Sequence, residues 1–297
     1  MKVSIAMATF NGAEYVQEQL ESFLHQELLP DELVISDDGS TDSTMDIIEQ
    51  FSEKAPFDVV VLKNTGERGY ASNFNNALMN TKGEIVFLSD QDDVWFPNKI
   101  KNVVQVANQN EDKQFFINDC AYTDKHLKEA GFTKLQQIKA AGMNQSAFMM
   151  GCCSATRSEW LKKILPIPSG YKSHDKWINF FAETLSQKVV IEDVLQYYRR
   201  HGENVSTFIV NKTSEITKFE KLIRGLKRSF SYQRYKQGYE QDKIMADYLA
   251  KHLNFASDWD EEMHKKLQVS LKKINKKNFE RKLNMTLLKL FTLGFCK

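Results

Sequence analysis

Three carboxylates within four residues form the strongest chemical signal in the chain. They occupy Asp90-Gln91-Asp92-Asp93, directly after the apolar run at 85–88. Carboxylates this close repel one another, so we expect a compensating cation, and Mg²⁺ or Mn²⁺ prefers such oxygen ligands together with substrate phosphates. The alternative is an acidic helix N-cap ahead of Pro97. The apolar strand that precedes the segment favours the metal site.

A second acidic pair follows another apolar run. Asp37-Asp38-Gly39-Ser40 comes directly after 33–36. A carboxylate here could accept hydrogen bonds from a base N–H or a ribose hydroxyl. The alternative is an ordinary Asp-Gly turn, which is common between strands and helices.

Two later segments carry further candidate groups. Asp175 stands at the start of a helical pattern, where it is either an N-cap or a general base that removes a hydroxyl proton. The segment Arg199-Arg200-His201 is either a solvated basic turn or a group that holds a diphosphate or completes a metal site. Spacing alone does not separate these alternatives.

The elements that must position these residues alternate between strands and helices. Strands are predicted at 3–7, 33–36, 58–62 and 85–88, and helices at 14–24, 43–51 and 73–80. Continuous apolar strands between helices predict an α/β fold with a mostly parallel sheet covered on both faces. Because ligands bind beyond the carboxyl ends of such strands, both acidic segments are expected at one ligand-binding edge.

The rest of the chain has a mixed region and a basic region. In the first we predict strands at 115–117 and 148–150 and helices at 157–164 and 176–184. Residues 1–210 carry 20 basic and 29 acidic side chains, whereas residues 211–297 carry 20 and 10. We therefore predict a catalytic domain over 1–210 and a basic, mainly helical C-terminal extension over 211–297.

Several classes of protein are disfavoured. No Gly-x-Gly-x-x-Gly, Walker or Gly-x-Ser-x-Gly motif is present, which argues against dinucleotide oxidoreductases, P-loop ATPases and serine hydrolases. The four cysteines lack zinc-site spacing, and neither a signal peptide nor an 18-residue apolar run occurs. We expect a cytoplasmic protein, at most peripheral on the inner face of the cell membrane.

Taken together, the motifs resemble glycosyltransferase family 2, whose members share the Rossmann-like GT-A fold. The resemblance covers about residues 2–205 and is closest to bacterial enzymes that build O-antigens and capsules, including rhamnosyltransferases. It rests on five segments, namely Met7-Ala8-Thr9-Phe10-Asn11-Gly12, 36–42, Ser89-Asp90-Gln91-Asp92-Asp93-Val94-Trp95, His174-Asp175 and 198–204.

The resemblance implies a role for each matching residue. Asp175 corresponds to the catalytic base, Asp92 to the ligand of a Mn²⁺ or Mg²⁺ ion, and His201 to a position that contacts metal or diphosphate. The residues implied in binding the nucleoside-diphosphate sugar donor are Thr9, Phe10, Asn11, Glu14, Asp38, Arg68, Asn73, Asp90, Gln91 and Arg200. The family often has Glu before the base, where this chain has His174, and the resemblance assigns that residue no role.

The activity implied is inverting, metal-dependent transfer of one sugar, from a UDP- or dTDP-linked donor, to an acceptor hydroxyl. The Gln-x-x-Arg-Trp segment of processive synthases is absent, which favours transfer of a single sugar. The acceptor is expected to be a glycan or a lipid-linked oligosaccharide. The alternatives are a non-catalytic nucleotide-sugar-binding or scaffold protein, and a sugar nucleotidyltransferase, although the Gly-rich loop that such an enzyme needs is missing.

The basic extension has two interpretations. Amphipathic basic helices could rest on an anionic membrane surface, where each Lys or Arg contributes roughly 1 kcal/mol. Alternatively, the helices pack on the catalytic domain or form a dimer. One apolar stripe is predicted at Phe219, Leu222, Ile223 and Leu226, and apolar residues recur over 279–296. Nucleic-acid binding is not expected, because no DNA- or RNA-binding motif accompanies the charge.

Overall fold

A computed structural model describes residues 1–202, 232–254 and 259–294. Within these ranges the chain forms two compact units. One unit contains residues 1–167 and 172–202, and the other contains 168–171, 232–254 and 259–294. The predicted boundary at 210 and the predicted stripe from Phe219 to Leu226 lie outside the described residues.

The first unit is an α/β structure. Its strands are β1 Val3–Thr9, β2 Glu32–Asp37, β3 Asp58–Lys63, β4 Ile85–Ser89, β5 Val94–Trp95, β6 Phe115–Thr123, β7 Glu129–Thr133, β8 Ser154–Arg157 and β9 Lys188–Arg199. Its helices are α1 Val16–Leu24, α2 Thr44–Ser52, α3 Tyr70–Met79, α4 Lys99–Gln109, α5 Lys134–Ala140, α6 Ser158–Ile164 and α7 His174–Thr184.

All nine strands belong to one sheet. Eight of them follow the order β3-β2-β1-β4-β8-β6-β9-β5, and β7 pairs with β6. Strands β1 to β4 are parallel to one another, as predicted from the alternating pattern. The second half is mixed, because β8 runs antiparallel to both β4 and β6 while β6 and β9 are parallel.

Helices on the sheet explain the unbroken apolar character of the first strands. The interior of β1, β2 and β4 is buried on both faces, and Ile5, Ile35 and Phe87 are fully enclosed. Helix α1 contributes Leu20 and Phe23 to the same core. Removing this apolar area from water supplies the main driving force for folding, and it fixes where each strand ends.

The sequence placed one strand wrongly. The predicted strand at 148–150 lies between two short 3₁₀ turns, Gln145–Ala147 and Gly151–Cys153. Phe148 and Met150 are buried there as packing groups, and the Met150 sulfur lies 3.3 Å from Cys153 Sγ. A short apolar run has no period that separates a strand from a buried turn, and the strand begins only at Ser154.

The second unit is a pair of packed helices, α8 Tyr232–Asn254 and α9 Glu261–Gly294. Met245, Leu249 and Leu267 are buried in it. Arg281 donates to Asp242 at 2.7 Å. No helix in the described ranges is both long enough and apolar enough to cross a bilayer.

Candidate active site

The candidate site lies where three neighbouring parallel strands end. Thr9 of β1 stands opposite Asp37 of β2, and Met7 stands opposite Ser89 of β4. The residues that follow these strands therefore meet at one edge of the sheet. This register brings the two acidic segments together on either side of the loop that follows β1.

A side-chain amide fixes that loop. Gln91 Oε1 accepts a hydrogen bond from Phe10 N at 2.9 Å, and its Nε2 donates to Phe10 O at 3.0 Å. A β-carbon at Gly12 would lie 2.3 Å from Gln91 Oε1, so the amide needs glycine at this position. Asn11 has a φ of 45° and accepts from Thr41 N at 2.8 Å. The Phe10 ring stays 48% exposed.

The two carboxylates after β2 have different partners. Asp37 forms hydrogen bonds within its own turn, where it accepts from Gly39 N at 2.9 Å and from Ser40 N at 2.8 Å. Asp38 accepts from Asn64 Nδ2 at 2.7 Å and Gly69 N at 2.8 Å. Asp38 is partly exposed, and its two oxygens keep lone pairs for a ligand.

Four other predicted donor-binding residues lie near this edge, two of them buried and two exposed. Thr9 is buried and donates to Asp37 Oδ1 at 2.9 Å, and buried Asn73 donates to Thr9 O at 2.9 Å. Both side chains thus stabilise the end of β1. Arg68 is exposed beside Gly39, and Glu14 is exposed shortly before α1.

The acidic segment after β4 divides into three environments. Asp93 is fully buried and has a structural role. It accepts hydrogen bonds from Gln196 Nε2 at 2.9 Å and from Arg199 N at 3.2 Å, both on β9. Helix α4 begins only at Lys99, with Asn98 as its N-cap. The interpretation of the acidic segment as a helix cap is therefore wrong.

Asp90 lies beside a buried cysteine and a buried lysine. Desolvation, followed by the negative charges of Asp92 and Asp175, raises the pKa of the Asp90 carboxyl to about 7. Burial lowers the pKa of the Lys99 ammonium to about 8. Ligand atoms of Asp90, Asp93 and Cys152 lie within 4.8 Å of one another. Because Asp93 already accepts two hydrogen bonds from β9, this trio is a poorer cation site than the neighbouring pair.

That pair consists of Asp92 and His201, which contact each other directly. His201 Nε2 lies 2.7 Å from Asp92 Oδ2, and the two side chains are 9% and 14% exposed. The ring of Tyr15 packs on the imidazole at 4.7 Å. A carboxylate oxygen and an imidazole nitrogen held this close could serve as two protein ligands of a divalent cation such as Mn²⁺ or Mg²⁺.

Arg199 is responsible for this arrangement. Its guanidinium, almost fully buried, donates to Asp92 O at 2.8 Å and to Lys125 O at 2.7 Å, and it forms an ion pair with Glu18. The charge also lies 4.9 Å above the ring of Tyr15. The side chain therefore joins β9 to the acidic segment and to α1.

The pairing of β9 places His201. Strand β5 directly follows the acidic segment and runs antiparallel to β9, with Val94 opposite Tyr197. His201 is thereby brought back to Asp92 across more than a hundred residues of sequence. Arg200 Nη1 donates to Tyr198 OH at 3.3 Å.

Asp175 is the second residue of α7, and Ser173 is the N-cap. The interpretation of Asp175 as the cap is therefore wrong. Asp175 Oδ1 accepts from Ser173 Oγ at 2.5 Å and from Lys176 N at 2.7 Å. The Asp175 charge contributes to the raised pKa of Asp90, which locates the carboxylate in the same cluster.

His174 is buried against this cluster as a neutral ring. It stacks on Phe74 at 3.9 Å, and neither ring nitrogen has a hydrogen-bond partner. A β-carbon at Gly151 would lie 2.3 Å from its Nε2, so the ring packs directly on backbone. Burial lowers the pKa of His174 to about 4, against a smaller opposing effect of Asp175.

The structure joins several of the predicted residues. Asn73 bonds to Thr9, Gln91 bonds to Phe10, and Asp92 meets His201. The sequence pattern named Arg199 without a role of its own and gave no indication of Glu18 or Ser173. The only signal for Arg199 was its place in the Arg-Arg-His segment, where two adjacent arginines are alike until strand pairing distinguishes them.

Replacing Arg199 by Lys tests whether this guanidinium holds the site together. A single ammonium cannot keep the bonds to Glu18 and to two separate carbonyls. We expect Arg199→Lys to lower the free energy of unfolding by about 3 kcal/mol, with an unchanged denaturant slope in urea. Arg200→Lys is the matched control and should cost less than about 1 kcal/mol. Equal losses in the two variants would contradict this assignment.

His174 should make stability depend on pH in a defined window. Its pKa is lowered on folding, so its contribution is present above the unfolded pKa near 6.5 and is lost as pH falls toward 4. Compared with the non-titrating His174→Gln variant, the wild type should lose roughly 3 kcal/mol between these limits. Paired urea titrations at pH 7.5 and 4.5 measure the difference. A gap between the two proteins that does not change with pH would contradict the buried neutral ring.

Comparison with known proteins agrees with this geometry. The sequence profile of "Glycosyl transferase family 2" matches residues 4–165. An uncharacterized glycosyltransferase of Nostoc sp. is 31% identical over 72% of this chain and 70% of its own length. The dTDP-rhamnosyl transferase RfbG of Shigella flexneri is 29% identical over 67% of this chain and 72% of its own.

The fold also matches a solved structure. The crystal structure of S. aureus TarS 1-349 in complex with UDP superimposes with a TM-score of 0.56, at 19% identity, covering 99% of this chain and 92% of that one. The predicted GT-A-like fold is therefore confirmed. With the profile match spanning more than half of the residues and a relative above 30% identity, the chain belongs to glycosyl transferase family 2.

Proposed function

We propose that this protein transfers one sugar, with inversion, from a UDP- or dTDP-linked donor to an acceptor hydroxyl during synthesis of a bacterial surface polysaccharide. One observation carries the proposal. The Asp92–His201 pair, Asp90 and the Asp175 carboxylate occupy one cluster at the carboxyl edge of the parallel strands. Metal-binding groups and a potential base are thus within the range of a single bound donor.

The nucleoside half of the donor would lie along the loops after β1 and β2. Asp38 keeps free lone pairs on an oriented carboxylate, and the exposed Phe10 ring offers a face for a base. Arg68 above Gly39 supplies a positive charge at the same turn. TarS is seen with UDP and the Shigella relative is named for dTDP-rhamnose, so both pyrimidine nucleotides belong among the candidate donors.

Asp92 and His201 would hold the divalent cation. The carboxylate oxygens of Asp92 suit Mn²⁺ or Mg²⁺, and the His201 imidazole could supply a nitrogen ligand beside them. When bound, such an ion neutralises charge that develops on the leaving diphosphate. Arg199 fixes the main chain of Asp92 at the same time, so that the pair is positioned before substrate arrives.

Asp175 would act as the base. The acceptor oxygen forms a bond to the anomeric carbon while its proton passes to Asp175, and the bond from that carbon to the diphosphate breaks. One displacement from the face opposite the leaving group inverts the anomeric centre.

Release of nucleoside diphosphate tests the activity and the metal together. A panel of UDP-, dTDP- and GDP-sugars is incubated with MnCl₂, with MgCl₂ or with EDTA, and a lipid-linked oligosaccharide is added as acceptor. We expect one UDP- or dTDP-sugar to be consumed with metal and spared with EDTA. Asp92→Asn should raise the metal concentration needed for half-maximal rate at least tenfold, and Asp175→Asn should lower kcat at least 100-fold.

The exposed Asp58 provides the matched control, since Asp58→Asn should leave both quantities unchanged. Calorimetry with UDP and dTDP separates binding from turnover. Binding without turnover of any donor would instead favour a nucleotide-sugar-binding protein, and full activity in Asp175→Asn would remove this residue as the base.

We further propose that α9 contacts an anionic membrane surface, which would suit a lipid-linked acceptor. Its exposed large apolar side chains are Val269, Phe279 and Leu283, which are 50%, 70% and 50% exposed. At 100° per residue these three share a face with the exposed Lys272 and Lys276. Apolar groups among lysines on one face are typical of helices that lie in the headgroup region.

Vesicle sedimentation tests this contact. We expect the protein to sediment with phosphatidylglycerol vesicles and not with phosphatidylcholine vesicles, and to be released by 0.5 M NaCl because the attraction is electrostatic. The double variant Phe279→Ser with Leu283→Ser should bind at least fivefold more weakly, since it loses buried apolar area. Met79→Ser, an equally exposed apolar residue on α3, is the control. Equal sedimentation with both lipids would contradict the proposal.

A further inference from the structure

The Asp175 carboxylate is held from one side. Ser173 Oγ donates to Oδ1 at 2.5 Å, and Lys176 N donates to the same oxygen at 2.7 Å. In the described part of the chain, both hydrogen bonds recorded for this carboxylate go to Oδ1. The other oxygen, Oδ2, is therefore the one available to take a proton.

Ser173 does not cap the helix that it precedes. A serine at a helix N-cap normally accepts a hydrogen bond from a backbone N–H of the first turn. Ser173 is the N-cap of α7, yet its side chain makes no capping bond. The buried hydroxyl donates to Asp175 instead. Helix α7 therefore lacks a side-chain cap, which would stabilise it by about 1 kcal/mol. The hydroxyl orients the Asp175 carboxylate instead.

We propose that Ser173 is a positioning residue that holds the Asp175 carboxylate with Oδ2 ready to receive the acceptor proton. The inference rests on the proposed role of Asp175 as the base. The Ser173 hydroxyl acts through the carboxylate and not on the reacting atoms. A hydrogen bond to a charged carboxylate is stronger than a neutral one, and small displacements of a base lower the rate steeply.

The experiment measures kcat and donor KM from nucleoside diphosphate release, using the sugar nucleotide that the wild type consumes fastest. Ser173→Ala should lower kcat about tenfold and change the donor KM less than about twofold. Ser173→Thr keeps the hydroxyl and should recover most of the rate.

Ser52→Ala is the matched control, since this exposed serine hydroxyl bonds only to Glu49 O in α2. Wild-type kcat in Ser173→Ala, or no recovery in Ser173→Thr, would overturn the inference. So would a fall in kcat accompanied by a lower melting temperature and a raised KM, because that pattern indicates a general structural role. If Ser173→Ala does not fold, Ser173→Cys, whose thiol is a much weaker donor, takes its place under the same criteria.

Asp175→Asn separates this inference from the proposed function. If Asp175→Asn keeps its rate, the assignment of the base is wrong and the positioning role falls with it. If Asp175→Asn is inactive while Ser173→Ala is unaffected, the proposed function stands and only the positioning role is overturned.

Discussion

The architecture of the site depends on one buried positive charge. Arg199 brings its guanidinium to the main chain of Asp92, to the carbonyl of Lys125 and to the Glu18 carboxylate. A buried cation is tolerated only where hydrogen bonds and opposite charge compensate the loss of water. The Arg199 charge in turn stabilises the carboxylates around the acidic segment, which would otherwise repel one another. Strand β9, helix α1 and the loop after β4 are consequently held as one piece.

Around this charge, neighbouring residues of the same type have separate tasks. Asp93 fastens the loop to β9, Asp92 faces His201, and Asp90 remains partly exposed with a pKa raised by its surroundings. Asp37 and Asp38 divide in the same way, the first closing its own turn and the second keeping lone pairs for a ligand. In each acidic segment one carboxylate forms structural hydrogen bonds. These bonds fix the main chain, so that the carboxylates left for a ligand are already oriented before it binds.

The two units of the chain differ in how their apolar groups are used. In the α/β unit, the interiors of β1, β2 and β4 are enclosed on both faces. Helix α9 of the other unit instead leaves three large apolar side chains exposed among lysines. Exposed apolar surface of this kind usually marks a contact surface, and its basic surroundings favour an anionic partner. Sugar transfer and attachment to a surface would then be separate properties of separate parts of the chain.

The sequence by itself determined the α/β class, the parallel strands β1 to β4 and the position of both acidic segments, because continuous apolar runs followed by Asp are local patterns. It also indicated the family through short motifs in order. Only the tertiary structure decided that Arg199 rather than Arg200 is buried, that residues 148–150 pack as a turn, and that Ser173 serves Asp175. These outcomes depend on the antiparallel pairing of β5 with β9 and on packing around α7. Such contacts join residues far apart in the chain, and no local pattern encodes them.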